Sequence, residues 1–249
     1  MSEQRPEAEP ARADLKLRET KYKDDRPAEA FAQVHKHIRE HRPGWTYELT
    51  RVLTVWLAVT VYRLRATGAE QVPNGPLILA PNHASFLDHF FAGACLRRHI
   101  QFMAKSQLFN NPLSTYIYKH GGTFPVRRGH ADDEAFKTSF EILARGGAIG
   151  MYCEGSRSRS GEVGSEAKSG IGRLAIESGA AVVPVAILGS HKVRNFKRFE
   201  FPRITVLYGA PINFPHMDDP PRELQQQAAD EILRRIRELH EQLEQQERR

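Results

Sequence analysis

The stretch LILAPNHASFLDHFF, residues 77–91, decides how the rest of the chain is read. Leu77 to Ala80 form a short apolar run of the kind that makes a buried strand. Pro81 closes it, since a residue without an N–H cannot continue a central ladder. Ser85-Phe86-Leu87-Asp88 then matches the Ser-x-x-Asp pattern that opens helices, with Ser85 as the cap and Asp88 answering from the third position. A strand thus hands over to a helix, and Asn82 and His83 fall at the strand's carboxyl end. His83 and Asp88 admit two readings. In one, Ser85 and Asp88 cap the helix and His83 is incidental. In the other, imidazole and carboxylate pair. Five residues along a continuous helix lie about 140° apart, but His83 precedes the helix, so the chain can fold back. A histidine acting as a base needs such a partner on its second nitrogen.

The same texture recurs outward from this stretch. Short apolar runs lie at 77–80, 101–104, 123–126, 148–153, 182–188 and 204–209, and helical patterns at about 86–98, 132–145 and 168–178 separate several of them. Alternation of this kind predicts an α/β fold: a mixed, largely parallel central sheet flanked by helices, with ligands at the carboxyl ends of the strands. The 249 residues suit one such domain with an appendage. The core is assigned to 67–215. Over 216–249, Leu224, Ala228, Ile232, Ile236, Leu239 and Leu243 recur at helical spacing behind Pro220-Pro221, which predicts an amphipathic helix packed on the core. No internal repeat is visible, and the glycine pairs do not match a Walker loop.

The N-terminal quarter differs. Residues 1–26 are mixed-charge and poor in large apolar side chains, so they read as a disordered tail without the apolar core of a signal peptide. Residues 27–66 read as two helices, 27–40 and 45–64, split by Pro43-Gly44. The second contains VLTVWLAVTVY, 52–62, uncharged and strongly apolar. As a helix it is about 16 Å long, and spanning a bilayer takes roughly 20 residues. It is therefore a core helix or an interfacial one. Arg51, Arg63 and Arg65 flank it, with Lys36, Arg39 and Arg42 upstream, as suits an anionic membrane surface. His35, His37 and His41 fit a solvated or membrane-facing basic surface.

The net charge of +6 favours anionic partners. Dispersed basic residues and no interleaved aromatic platform argue against nucleic acid. Two cysteines, Cys95 and Cys153, build no disulfide framework and no zinc pattern. His83, Asp88 and His89, or His37 with His41, lack the flanking ligands of a known zinc motif, so no metal is expected. Cys153 at the end of an apolar strand reads as a buried thiol rather than a nucleophile.

Two further segments lie where strands end. GGTFPVRRG, 121–129, carries Arg127 and Arg128. CEGSRSRSGE, 153–162, places Glu154, Arg157 and Arg159 among small residues. Arginines beside glycine and serine bind phosphate through their fork and neighbouring N–H groups, although an isolated pair is more often a solvated loop. Lys168-Ser169-Gly170 opens the next helix, where the dipole favours an anion.

With these segments the chain resembles the glycerolipid acyltransferases that acylate lysophosphatidic acid, the PlsC-like family. Asn82 to Asp88 fits NHxxxxD; Gly122 to Arg127 resembles the second block; Glu154-Gly155-Ser156-Arg157-Ser158 resembles EGTRS, with Ser156 for Thr; and Val183-Pro184-Val185 resembles the fourth. The four blocks stand in order over about residues 65–215. The resemblance implies transfer of an acyl group from a thioester, on coenzyme A or acyl carrier protein, to a lysophospholipid hydroxyl, without a cofactor. It implies His83 as base, Asp88 as its orienting partner, and Arg127, Glu154, Gly155 and Arg157 at the acceptor site. Lys105 and Lys168 join them on the donor, acceptor or membrane-facing side. An acceptor with a long acyl chain also implies that residues 27–66 dock on the cytoplasmic face of a membrane, peripherally or monotopically. A peripheral membrane-binding module without activity is the competing reading.

Overall fold

Leu77 to Ala80 are fully buried because side chains alternate to two covered faces of a sheet. In this computed structural model, which describes residues 24–127, 132–158, 160–193 and 201–248, the elements run α1 (Ala32–Glu40), α2 (Trp45–Thr60), β1 (Arg65–Thr67), β2 (Leu77–Pro81), α3 (Asp88–Ala94), β3 (Ile100–Lys105), α4 (Pro112–His120), β4 (Phe124–Val126), α5 (Asp133–Ala144), β5 (Ala148–Gly150), α6 (Gly170–Ser178), β6 (Ala181–Leu188), β7 (Thr205–Tyr208) and α7 (Arg222–Glu247). Residues 1–23 of the expected tail, with Arg128 and Arg159, lie outside the described residues.

The strands lie in the order β1-β7-β6-β2-β5-β3-β4. β2 pairs in parallel with β5 and β6, and β3 in parallel with β5 and β4; only β7 against β6 is antiparallel, with β1 parallel to β7. The mixed, largely parallel α/β sheet is as the sequence predicts. Ile78, Ala80, Ile149 and Val182 meet Val34 and Ile38 of α1, Ile142 of α5, Leu174 of α6 and Ile232 of α7 on one face. Leu77, Leu79, Phe102 and Val185 meet Ala58 of α2 and Phe91 of α3 on the other. Each such large aliphatic side chain contributes about 1.5–3 kcal/mol on burial. The ion pairs of Arg234 and Arg235 with Glu231 along α7 are exposed and screened by solvent, so the apolar layers hold the fold. Gly172 lets α7 come close to α6: a Cβ there would stand 1.8 Å from the Gln225 carbonyl oxygen.

The N-terminal helices separate in role. Val34, His35 and Ile38 of α1 are buried, and His35 Nδ1 meets Thr138 Oγ1 of α5 at 2.9 Å. Thus α1 belongs to the core layer, and His35 is not on a basic surface as its sequence context suggested. α2 buries Ala58 and leaves Trp45 (73% exposed), Trp56 (63%), Leu49, Val52 and Leu53 open. It ends at Thr60 rather than at 64. At the expected boundary at 26, Asp24 is buried and Arg26 is bonded into the loop after β3, so residues 24–26 pack on the core. Among the described residues no helix is long and apolar enough to cross a membrane.

Candidate active site

Parallel strands bring β2, β5, β3, β4 and β6 to a common carboxyl edge, and the motif residues follow these ends. Pro81 finishes β2, and Asn82 then prolongs the pairing with its side chain. Its backbone N–H donates to Val185 O at 3.2 Å, its Nδ2 donates to Ile187 O at 3.1 Å, and its Oδ1 accepts from Ile187 N at 2.7 Å. A buried amide that mimics a strand in this way ties the start of the loop to β6.

His83 is gripped from several sides. Its Nδ1 lies 2.9 Å from Asp88 Oδ2. Asp88 is completely buried, and the same oxygen accepts from Ala84 N and Ser85 N, each at 2.7 Å. A carboxylate only accepts, so the proton on this pair is assigned to Nδ1, which leaves Nε2 with its lone pair. The backbone N–H of His83 donates to Glu154 Oε1 at 2.8 Å, and its carbonyl accepts from Ser158 N at 2.7 Å. The Tyr152 ring stacks on the imidazole at 3.8 Å between centroids. The arrangement is an imidazole held in one orientation by a buried carboxylate, with its loop fixed before any ligand binds.

The capping pattern is realised differently from its sequence form. The helix begins at Asp88 itself with no side-chain cap, and Ser85 Oγ accepts only from Leu87 N, at 3.3 Å. Asp88 Oδ2 serves the loop and the histidine. Pairing and loop closure therefore use one oxygen, and the incidental-histidine reading fails on geometry.

Glu154 also departs from expectation. It is buried, Oε1 takes His83 N, and Oε2 takes Gly164 N at 2.8 Å. It fastens the backbone beneath the base instead of facing an arginine fork or an open acceptor pocket. Burial pushes its pKa up to about 7, against the pull of the two N–H donors. The native form thus holds a proton more tightly than an ordinary carboxylate with a pKa near 4.5. Its contribution to stability is whole below that value and fades as pH rises through 7. Relative to Glu154→Gln, the native chain should lose on the order of 3 kcal/mol of unfolding free energy between about pH 4 and 8. Urea midpoints of both proteins across that range check this; parallel pH profiles would contradict it.

The other expected site residues fall into two places. Gly155, at φ +68, lies under Lys168, whose Cγ would be 3.2 Å from a Cβ there. Arg157 is exposed beside Ser158, so this pair and Lys168 stand around the loop that holds His83. Lys105 ends β3 in register with Val126, one residue before Arg127. β4 is three strands from β2, or about 14 Å at ordinary strand spacing. Arg127 therefore stands apart from the His83–Asp88 pair, just past the end of the β3–β4 pairing. Arg127 is largely buried; its backbone N donates to Asp132 Oδ2 at 2.6 Å, and its side-chain Nε has no hydrogen-bond partner among the described residues.

Three contributors escaped the sequence. Tyr152 carried no motif signal, since an aromatic at a strand end is ordinarily core. Arg237, from α7, donates to Gly164 O at 2.6 Å and acts on Glu154 through its charge. Arg26 is described below. The rival groups are disposed of by environment. Burial pushes the Cys153 thiol up to about 12, which makes it a poor nucleophile at neutral pH. Burial against Phe90 pulls His89 down to about 4, so it is uncharged. Among the described residues no three His, Cys, Asp or Glu side chains group to hold a metal ion.

The sequence model of the Acyltransferase family matches residues 63–188, which contain all four blocks and the His83–Asp88 pair. The chain belongs to the acyltransferase family. A chloroplastic 1-acyl-sn-glycerol-3-phosphate acyltransferase of Arabidopsis thaliana is 28% identical over 149 residues, 57% of this chain and 41% of the relative. A lyso-ornithine lipid O-acyltransferase of Pseudomonas aeruginosa is 30% identical over 60% of this chain and 59% of its own. A 1-acyl-sn-glycerol-3-phosphate acyltransferase of Bacillus subtilis is 27% identical over 71% of this chain and 87% of its own. The chain spans about two fifths of the plant relatives it matches. The crystal structure of the 1-acyl-sn-glycerophosphate acyltransferase PlsC from Thermotoga maritima shares the fold, with a TM-score of 0.57, 22% identity, and coverage of 92% of this chain and 88% of that one.

Proposed function

We propose that this acyltransferase moves a fatty acyl group from an acyl thioester to the free hydroxyl of a lysophospholipid, with 1-acylglycerol 3-phosphate as acceptor and phosphatidic acid as product. The observation that carries the reading is the His83–Asp88 contact at 2.9 Å, inside a loop fixed on both its backbone sides. His83 Nε2 takes the proton of the acceptor hydroxyl as its oxygen attacks the thioester carbon. The C–S bond then breaks, and the thiolate, of coenzyme A or acyl carrier protein, leaves with that proton. Asp88 holds the ring and balances the imidazolium between the two steps. Arg127, with Lys105, is assigned to the acceptor phosphate, and Arg157 and Lys168 to anionic groups nearer the base. The thioester supplies the activation, so no cofactor is required. The name of the Pseudomonas aeruginosa relative favours a second acceptor class, lysolipids without a phosphate.

The open face of α2 is assigned to the interfacial layer of an anionic membrane, at its cytoplasmic side. Trp45, Leu49, Val52, Leu53 and Trp56 are each more than half exposed. At about 1 kcal/mol for each partly exposed side chain that inserts, they contribute roughly 5 kcal/mol, a partition of about 10³–10⁴. High salt should reverse binding only in part, since apolar burial survives screening.

One vesicle experiment tests both assignments. Supplied with acyl-CoA and a panel of lysolipids in anionic vesicles, the protein should yield phosphatidic acid by mass. Vesicle binding without thioester consumption would leave a non-catalytic module, and acylation of a phosphate-free lysolipid alone would establish the second acceptor class. Leu53→Glu with Trp56→Glu should lower vesicle binding about tenfold or more without loss of fold, both side chains already facing solvent. Undiminished binding would move the docking surface elsewhere.

A further inference from the structure

The carboxyl edge of the sheet is crossed by a segment with no motif at all. Ahead of α1, Arg26 donates through Nη1 to Phe109 O at 2.7 Å and through Nη2 to Ser106 O at 2.8 Å. Asp24 faces the same guanidinium through both oxygens, at 2.9 and 2.7 Å. Ser106 Oγ donates to Asp24 Oδ2 at 2.5 Å. The guanidinium also lies over the Phe31 ring, 4.6 Å from its centroid. Finally, the backbone carbonyl of Arg26 accepts from Arg127 Nη1 at 3.4 Å. One short strap thus fixes the turn immediately after Lys105 and touches the side chain of Arg127.

Among the described residues Arg127 has few other restraints. Asp132 Oδ2 takes its backbone N–H and stands 3.9 Å from Nε, too far for a hydrogen bond. A long arginine stem loses much rotamer freedom when a ligand fixes it. A guanidinium already held by neighbouring backbone loses less, and affinity rises accordingly. The strap's position does this for Arg127 and for the turn after Lys105.

We propose that Asp24 and Arg26 are positioning residues for the acceptor headgroup, holding Arg127 and the Lys105–Ser106 turn in the geometry that receives an anion. The proposal rests on the reading of Arg127 as a ligand of the acceptor phosphate. Neither residue touches substrate; each acts through Arg127 and the turn.

Steady-state kinetics of the full chain with 1-acylglycerol 3-phosphate test it. Arg26→Ala should raise the acceptor KM about tenfold, with kcat and the KM of the thioester within about twofold of their original values. Arg26→Lys, which keeps the charge but not the fork, should fall between. In Arg127→Ala the acceptor KM should rise at least as far, and adding Arg26→Ala to it should raise it by clearly less than Arg26→Ala does alone. Ser106→Ala, which removes only the Asp24 hydroxyl contact, gives a milder variant that keeps the test open if Arg26→Ala does not fold. It should raise the acceptor KM in the same selective way. If Arg127→Ala leaves the acceptor KM unchanged, the reading of Arg127 falls and the strap proposal with it. If Arg127→Ala raises it while Arg26→Ala and Ser106→Ala do not, the strap proposal alone falls. Additive effects of Arg26→Ala and Arg127→Ala, or an equal change in both KM values, would also overturn it.

Discussion

His83→Ala should lower acyl transfer by roughly 10³–10⁴-fold in kcat while leaving the acceptor KM and vesicle binding nearly unchanged. A positioned general base supplies about 10²–10⁴-fold, and among the described residues no other group is placed to replace it. His89 follows Asp88 on α3, but burial keeps it uncharged and its ring packs against phenylalanines. Cys153 is buried with its thiol pushed up to about 12. The fold should tolerate the change. The imidazole is partly exposed at the rim of the sheet, and its loss removes one stacking partner from Tyr152 rather than opening the core. Thermal unfolding and product formation, measured on the same sample, check the expectation. Transfer at an undiminished rate would remove His83 from the chemistry altogether.

Asp88→Asn is expected to be nearly as damaging to rate and far gentler to the fold, with a loss of about 10²–10⁴-fold in kcat. The asparagine oxygen can still accept from Ala84 and Ser85, so the loop closes as before. With that oxygen kept on the loop, the amide side chain has no negative charge to balance the imidazolium. If its NH₂ turns to Nδ1 instead, it selects the tautomer whose Nε2 carries the proton and cannot act as base. The stability change should stay within about 1 kcal/mol, since a neutral amide is cheaper to bury than a carboxylate. Asp88→Ala makes the contrast. It leaves two loop N–H groups without an acceptor and should destabilise by about 2–4 kcal/mol. Urea midpoints alongside initial rates separate the two cases. A rate in Asp88→Asn that merely follows its stability would mark Asp88 as a loop fastener only.

The contrast explains what was legible in the sequence. Central parallel strands are covered on both sides, so LILA and VVPVAIL stand out as unbroken apolar runs. β1, three residues at the sheet edge beginning with Arg65, has no such covering and no such signature. AIGMYC reads as one strand, yet pairing stops at Gly150, because Tyr152 and Glu154 leave the ladder to reach His83. α4 was not among the helical patterns read from the sequence, although Asn111 caps it and Pro112 opens it. Its Leu113, Tyr116 and Ile117 face solvent. α1 went the other way: a basic-looking amphipathic segment proved to be a layer of the core. The contact between His83 and Asp88 could be anticipated from spacing and resemblance, as they lie five residues apart. Arg26, Tyr152 and Arg237 could not, because each meets its site across a tertiary contact that leaves no local pattern.

The loop around His83 has a consequence for selectivity. Asn82 is locked to β6, Glu154 and Ser158 hold the backbone on either side, and Asp88 holds the ring, all before any ligand arrives. Under the proposed mechanism, a base built in advance treats water and a lipid alcohol alike. Whatever spares the thioester from hydrolysis must therefore lie in how closely the lipid fills the space above the imidazole, and the competition between ester and free fatty acid becomes a measure of that fit rather than of the base itself.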